Sequence, residues 1–362
     1  MNPATRAEAT RLHAALLAAG ATAVEADILL PADTLLDLYG EDIRARAYIT
    51  TDPLNGEMML RPDFTVPVVQ AHMTSGADPA RYAYMGEVFR RQDSLTNRAR
   101  EYMQVGYEVF DRNAPQADAE VFALFSTLLK DLNLRPATGD IGILMAAVKG
   151  LSTTDRRKAA LQRHIWRPRR FRALLDRFAG RAPIPTARAD LLQRLAGDTP
   201  QALITAAGPL VGLRSAEDIG ARAEALIEDA KAPPIAAPEA ALLYDLLSLE
   251  APSKAALSHL RGISPMLPAI TPAVDRFEAR LDALSSKGID VQTLPFEASH
   301  GRTTLEYYDG FVFTLHGPND LPPIASGGRY DALTAVLGAG RSIPAVGGII
   351  RPGLVARLRG SA

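Results

Sequence analysis

Four segments of the 362-residue chain carry side chains suited to binding or transforming a small polar molecule. They are Leu60-Arg61-Pro62-Asp63-Phe64-Thr65, Tyr84 to Arg90 continuing through Arg98 to Glu108, Leu305 to Phe313 with its Tyr307-Tyr308 pair, and Gly327-Gly328-Arg329-Tyr330-Asp331 followed by Pro344-Ala345-Val346-Gly347. In the second, Met103, Val105, Tyr107 and Val109 alternate with Gln104, Gly106 and Glu108. This period-two pattern predicts a strand with one apolar and one polar face, so the amide and the carboxylate project from the same side. Together they can hydrogen-bond a polar ring. A different chemistry is open to Arg156–Arg172, which holds eight Lys/Arg, no acid, the single Trp166 and Phe171. Guanidinium groups beside aromatic planes suit phosphates, bases or a partner surface. The same run also reads as a solvated face whose charges pair with acids in neighbouring segments.

Other chemistries are excluded or unsupported. There is no Gly-x-x-x-x-Gly-Lys-Ser/Thr loop, no Gly-x-Gly-x-x-Gly after a strand and no His-Glu-x-x-His. The Gly338-Ala339-Gly340 cluster lacks a lysine and reads as a connecting turn. Six scattered histidines offer no pair at ligand spacing, so no metal site is expected. The absence of cysteine rules out disulfides, thiolate metal sites and cysteine nucleophiles, and fits a cytoplasmic chain. Lys+Arg total 40 against Asp+Glu 41, a balance that argues against a protein whose main task is gripping nucleic-acid backbone.

The elements that must hold these residues fall into three zones. Met1 to Gly20 reads as an amphipathic helix with Leu12, Leu16 and Leu17 at helical spacing, and nothing there has the form of a signal peptide. No apolar run is long enough for a membrane span. Residues 1–150 mix short strands (Ala47–Thr50, Met58–Leu60, Ala83–Phe89, Met103–Phe110) with helices such as Ala117–Leu132. Residues 151–270 are rich in Ala, Leu and Arg, are cut by prolines, and read as a helical insertion. Residues 271–362 resume with a helix at Ala273–Lys287 and strands at Val291–Phe296, Leu305–Leu315 and Ile324–Gly327. The expected class is α+β, a core interrupted by a helical block.

The four segments, in this order, resemble the class II histidyl-tRNA synthetases and their synthetase-like relatives over nearly the whole chain. The resemblance implies a class II core, an antiparallel sheet flanked by helices. It also implies site roles. Asp63 and Thr65 match the positions that hold the α-ammonium group of histidine, with Asp where the family usually has Glu. Gln104 and Glu108 match the residues lining the histidine pocket, Tyr307 and Tyr308 the tyrosine pair that contacts histidine, and Arg90 and Arg98 the nucleotide-facing arginines. Arg90 is also expected to bind histidine, since either it or a group from another region must meet the carboxylate.

Departures from the pattern fall on the nucleotide side. The family's Arg-Gly-Leu-Asp-Tyr-Tyr reads Thr303-Thr304-Leu305-Glu306-Tyr307-Tyr308, so a threonine replaces its catalytic arginine. Arg302 lies one residue away, which on a strand points it to the opposite face. An acidic and basic pair is replaced by Gln92 and Asp93, and the family's Gly-x-Glu-Arg runs Arg351-Pro352-Gly353-Leu354. Removing one donor to a developing anion typically costs about 10²–10³ in rate. The resemblance also leads us to expect no anticodon-binding domain of the synthetase kind. The resemblance therefore implies a non-catalytic paralogue without cofactor, a regulatory subunit serving the short-form ATP phosphoribosyltransferase. Such a chain has histidine as its allosteric ligand and works as a homodimer within a hetero-oligomer, with Leu30-Pro31-Ala32 at the dimer interface. Two further readings stand beside it: a divergent adenylating enzyme, and an RNA-binding module using Arg156–Arg172.

Overall fold

The computed structural model describes residues 2–32, 47–92, 99–302, 307–318 and 321–360. The chain divides into two compact units, Met1–Leu144 with Leu246–Ala362, and Met145–Asp245.

The first unit is built on a nine-stranded, mostly antiparallel sheet in the order β1-β5-β6-β12-β11-β10-β7-β9-β8. Its centre is formed by β5 (Ala80–Phe89), β6 (Glu101–Phe110), β12 (Ala345–Ile350), β11 (Ala325–Arg329) and β10 (Phe311–His316). β7 (Arg135–Asp140), β9 (Pro295–Glu297) and β8 (Glu250–Pro252) extend one side, while β1 (Thr22–Ala23) pairs parallel with β5 on the other. A separate three-stranded sheet, β2-β4-β3, comprises Leu29–Pro31, Gly56–Leu60 and Ile49–Asp52. This is the α+β core that the sequence led us to expect.

One face of the large sheet is closed by apolar packing. Helix α3 (Ala114–Leu128) lies on β6, β11 and β12, and its Phe122 and Phe125 meet the Phe313 ring edge-on at 5.4 and 5.9 Å. Such edge-to-face contacts add to the area buried. Helix α1 (Pro3–Ala18) starts at Asn2, whose side chain accepts from the Ala4 N–H, and buries Leu12 and Leu16 one turn apart.

Charge also locks this unit. Arg329 at the end of β11 donates to Asp118 of α3 at 2.7 Å and to Asp331 at 2.8 Å. Arg280, on the helix Thr271–Ser286, donates to Asp118 at 3.3 Å and to Asp140 of β7 at 2.8 Å. Asp118, Asp140, Arg280 and Arg329 are all buried, so four elements meet through two carboxylates and two guanidinium groups. Breaking such a cluster strands an uncompensated buried charge.

The second unit is helical, as its composition suggests. Five helices, Asp155–Arg163, Pro168–Phe178, Thr186–Gly197, Pro200–Ala206 and Ala216–Lys231, lie wholly within it. The basic run finds acids on the last of them. Arg157 is buried with its Nε 2.5 Å from Asp229, Arg188 reaches the same carboxylate at 2.5 Å, and Arg156 lies 3.1 Å from Glu228. The unit ends at Asp245 rather than near residue 270. Residues after it belong to the sheet unit because β8 pairs with β9, and the helix Ser253–Ile263 packs on Thr271–Ser286.

Two strand expectations are shortened for local reasons. Asp290 accepts from the Gln292 N–H and the Thr293 hydroxyl, an Asx turn that delays β9 to Pro295. Tyr307 and Tyr308 precede β10 instead of lying in it, because the Asp309 carboxylate is held by the N–H groups of Asp331 and Ala332. Among the described residues no helix is long and apolar enough to cross a membrane.

Asp118→Asn is expected to lower stability by about 3–5 kcal/mol in urea unfolding, because both buried arginines lose their shared anion. A loss under about 1 kcal/mol would show that the cluster carries little of the core's stability.

Candidate functional site

The other face of the large sheet is polar yet buried. Register sets its layout: Gly86, Tyr84 and Tyr82 of β5 stand opposite Gln104, Gly106 and Glu108 of β6, while Ile349 and Gly347 of β12 stand opposite Gly106 and Glu108. Two glycines make room. A Cβ on Gly106 would lie 2.1 Å from the Tyr84 ring, and one on Gly347 would lie 1.4 Å from Glu108 Oε2. The carboxylate thus lies flat across β12, and Tyr84 lies flat across β6.

Glu108 is the centre of this face. Its Oε1 accepts from the Thr65 hydroxyl at 3.0 Å and the Tyr84 hydroxyl at 2.9 Å, and its Oε2 accepts from the Tyr330 hydroxyl at 2.5 Å. Burial pushes its pKa up to about 7, against the pull of these three donors, and nearby Asp63 pushes the same way. Asp63 is buried too, and its Oδ1 accepts from the Thr65 N–H at 3.1 Å. Both acids meet the start of helix α2 (Thr65–Ser75), whose N-terminal dipole favours negative charge. Phe64 stacks on Tyr84 at 4.3 Å, and the Arg61 guanidinium lies 4.1 Å above the Phe64 ring, which fixes the approach of this segment.

The tyrosine pair borders the acids. The Tyr307 and Tyr308 rings are 5.0 Å apart, and Tyr307 meets Tyr330 edge-on at 6.1 Å. Burial, then Glu108 and Asp63, raise the Tyr308 hydroxyl pKa, while Arg90 opposes them. Arg90 donates to the Pro62 carbonyl at 2.9 Å and lies 6.0 Å from the centre of the Tyr102 ring. Gln104 is buried, with its Oε1 lacking a hydrogen-bond partner among the described residues.

Asp63, Thr65, Gln104, Glu108 and Tyr308 are therefore brought to one buried polar face, with Arg90 and Tyr307 at its margin. Arg98 and Thr303 lie outside the described residues. Arg302 does not sit on a strand: it follows Gly301, with φ +83°, in a turn, so alternation does not set its direction. Sequence reasoning quoted Tyr84, Tyr330 and Arg351 within motifs but gave them no role. Tyr84 was detectable from its register against Gly106, whereas the reach of Tyr330 to Glu108 depends on β11 and β12 lying beside β6. A cavity of about 950 Å³, lined in part by Lys130, Arg135, Asp290 and His300, lies elsewhere and contains none of these residues.

A mostly antiparallel sheet with motif-borne acids and tyrosines on one buried face defines a class II aminoacyl-tRNA synthetase-like core. The family model described as Histidyl-tRNA synthetase matches residues 4–253 and 223–352. The ATP phosphoribosyltransferase regulatory subunit of Mesorhizobium japonicum is 34% identical, covering 95% of this chain and 94% of that protein. Its counterpart in Allorhizobium ampelinum is 32% identical, with 91% of each covered. Among solved structures, an ATP phosphoribosyltransferase regulatory subunit/histidyl-tRNA synthetase from Bacillus halodurans aligns with a TM-score of 0.69 at 21% identity, covering 98% of this chain and 79% of that one. Histidyl-tRNA synthetase from Nostoc aligns at 0.62 and 17% identity, covering 99% and 71%. The chain belongs to the histidyl-tRNA synthetase family and, within it, to the ATP phosphoribosyltransferase regulatory subunits.

The raised Glu108 pKa has a stability consequence. Folded protein keeps this proton up to about pH 7, while the unfolded chain releases it near 4.5. Between those values the folded state binds more protons, so this group's contribution falls as pH rises, by at most about 1.4 kcal/mol per pH unit, and is level above 7. Unfolding free energies of wild type minus Glu108→Gln, measured from pH 4.5 to 8, should show that slope. A flat difference would place the Glu108 pKa in the ordinary carboxylate range.

Proposed function

We propose that the chain is the non-catalytic regulatory subunit of a short-form ATP phosphoribosyltransferase, required for the first step of histidine biosynthesis, and that the polar face around Glu108 binds histidine as the feedback signal. The observation that carries this reading is the Glu108 cage: two buried acids, three hydroxyl donors and a neighbouring tyrosine pair persist, while Thr303 and Leu354 replace arginines on the nucleotide side. A pocket needs only different affinities for two states of a complex to transmit inhibition. The names of the relatives supply the partner, the catalytic phosphoribosyltransferase chain.

In this reading Asp63 with Thr65 receives the α-ammonium group, and Glu108 with Gln104 and the tyrosines receives the imidazole. Arg90 and Arg98 descend from nucleotide binding, Arg90 also facing the histidine site, and no cofactor or metal takes part. The protein acts in the cytoplasm as a homodimer within the hetero-oligomer. Ile28, Leu29 and Ile49 are exposed on or beside the three-stranded sheet that contains Leu30-Pro31, which supports a subunit interface there. The pairing of Arg156 and Arg157 with Glu228 and Asp229 counts against an RNA-gripping role for the basic run.

Formation of phosphoribosyl-ATP by the short catalytic chain is the test. The rate is expected to rise when this chain is added and to fall when histidine is then supplied. Glu108→Gln or Asp63→Asn should raise the histidine concentration for half-inhibition by about tenfold or more. An unchanged rate on adding this chain would overturn the reading.

A further inference from the structure

Arg351 is a strongly basic group near the polar face that the family motifs leave without a task. It directly follows β12, where Ile350 pairs with Val105, so the next position along the register lies beside Gln104. Its Nη1 donates to the Pro323 carbonyl, and its guanidinium lies 6.0 Å from the centre of the Tyr102 ring. Arg90 lies at the same 6.0 Å from that ring. Two guanidinium groups therefore converge on one aromatic side chain.

Arg351 forms no ion pair with any described residue. Burial lowers its pKa and the charge of Arg90 lowers it further, while contact with Tyr102 opposes the shift. Both guanidinium groups are only partly buried, and two like charges held this close favour an anion that both can reach. The adjoining Gln104 Oε1 is a buried acceptor with no described partner, so the polar groups here are incompletely satisfied by the protein itself. Asp63 and Glu108 place two acids on the same polar face, where Glu108 takes up its charge only as pH rises through about 7. One region thus attracts a cation and the other an anion, which is the charge pattern of an α-amino acid zwitterion.

Arg351 also stands where the Gly-x-Glu-Arg pattern of the resembling synthetases has its glycine, three residues before Leu354. A long basic side chain thus stands where that pattern has only a hydrogen. We propose that Arg351, assisted by Arg90, binds the carboxylate of the amino-acid ligand and so supplies the charge that Thr303 cannot. A planar guanidinium with several donors suits a carboxylate better than a point charge does. The assignment rests on the reading of this face as a histidine pocket.

Calorimetric titration of the full chain with L-histidine and with L-histidinol separates the two claims, since histidinol keeps the amine and imidazole but replaces the carboxylate with an alcohol. Wild type should prefer histidine by about 10- to 100-fold, and Arg351→Met should bind both equally, losing affinity for histidine while changing histidinol by less than about threefold. Arg351→Gln, which keeps an amide donor for the Pro323 carbonyl, gives the same readout if the methionine variant does not fold. If either folded variant retains the wild-type preference for histidine, the role of Arg351 is overturned and the histidine pocket stands. If wild type binds neither compound, the pocket reading itself fails.

Discussion

A carboxylate buried in the middle of a β-sheet must be given donors, and Glu108 sets that demand for this fold. Three hydroxyls meet it, from Thr65 at the start of a helix, Tyr84 on β5 and Tyr330 just after β11. Each comes from a different segment. The carboxylate can lie flat only because position 347 of β12 carries no side chain. Strand order follows from the same requirement, since β5, β6, β12 and β11 must be consecutive for these groups to converge. Even so, the donors do not offset the cost of burial, and the acid retains its proton to near neutrality. A group held at such a cost is typical of a functional site, where stability is given up for a poised charge.

Opposite this face the sheet is closed by aromatic packing against α3, and the charged cluster of Asp118, Arg280, Asp140 and Arg329 ties the strands to the helices beside them. Arg329 and Tyr330 are sequence neighbours with different tasks. One anchors β11 to the core, and the next aims its hydroxyl at Glu108. The Gly327-Gly328-Arg329-Tyr330-Asp331 segment is thus both a structural clamp and a wall of the polar face, so one short motif serves both the fold and the Glu108 cage.

Much of this was legible in the sequence. Alternation at residues 103–109 located β6 and put Gln104 and Glu108 on one side, because strand periodicity depends only on local backbone geometry. The same pattern did not show that the polar side is buried, since burial depends on what β5, β12 and Tyr330 bring from far along the chain. The strands expected at Val291–Phe296 and Leu305–Leu315 were shortened by Asp290 and Asp309, whose carboxylates capture backbone N–H groups and form turns where side-chain hydropathy favours strand. The helical block stood out by composition, but its end did not. The helix at 253–263 resembles the insertion in composition yet packs within the sheet unit. Arg351 was hidden for another reason: it departs from the pattern of its family, and only its position beside Tyr102 and Gln104 gives it meaning.

The central claim is that the amino-acid half of a synthetase site survives while its nucleotide half is gone. Equilibrium binding of a non-hydrolysable histidyl-adenylate analogue, compared with histidine itself, tests this directly. An adenylating enzyme binds such an analogue orders of magnitude more tightly than the free amino acid, because it is built to hold the activated intermediate. This chain is predicted to bind the analogue no more tightly than histidine. Binding about a hundredfold tighter or more would contradict the account and restore the chain to the catalytic members of its family.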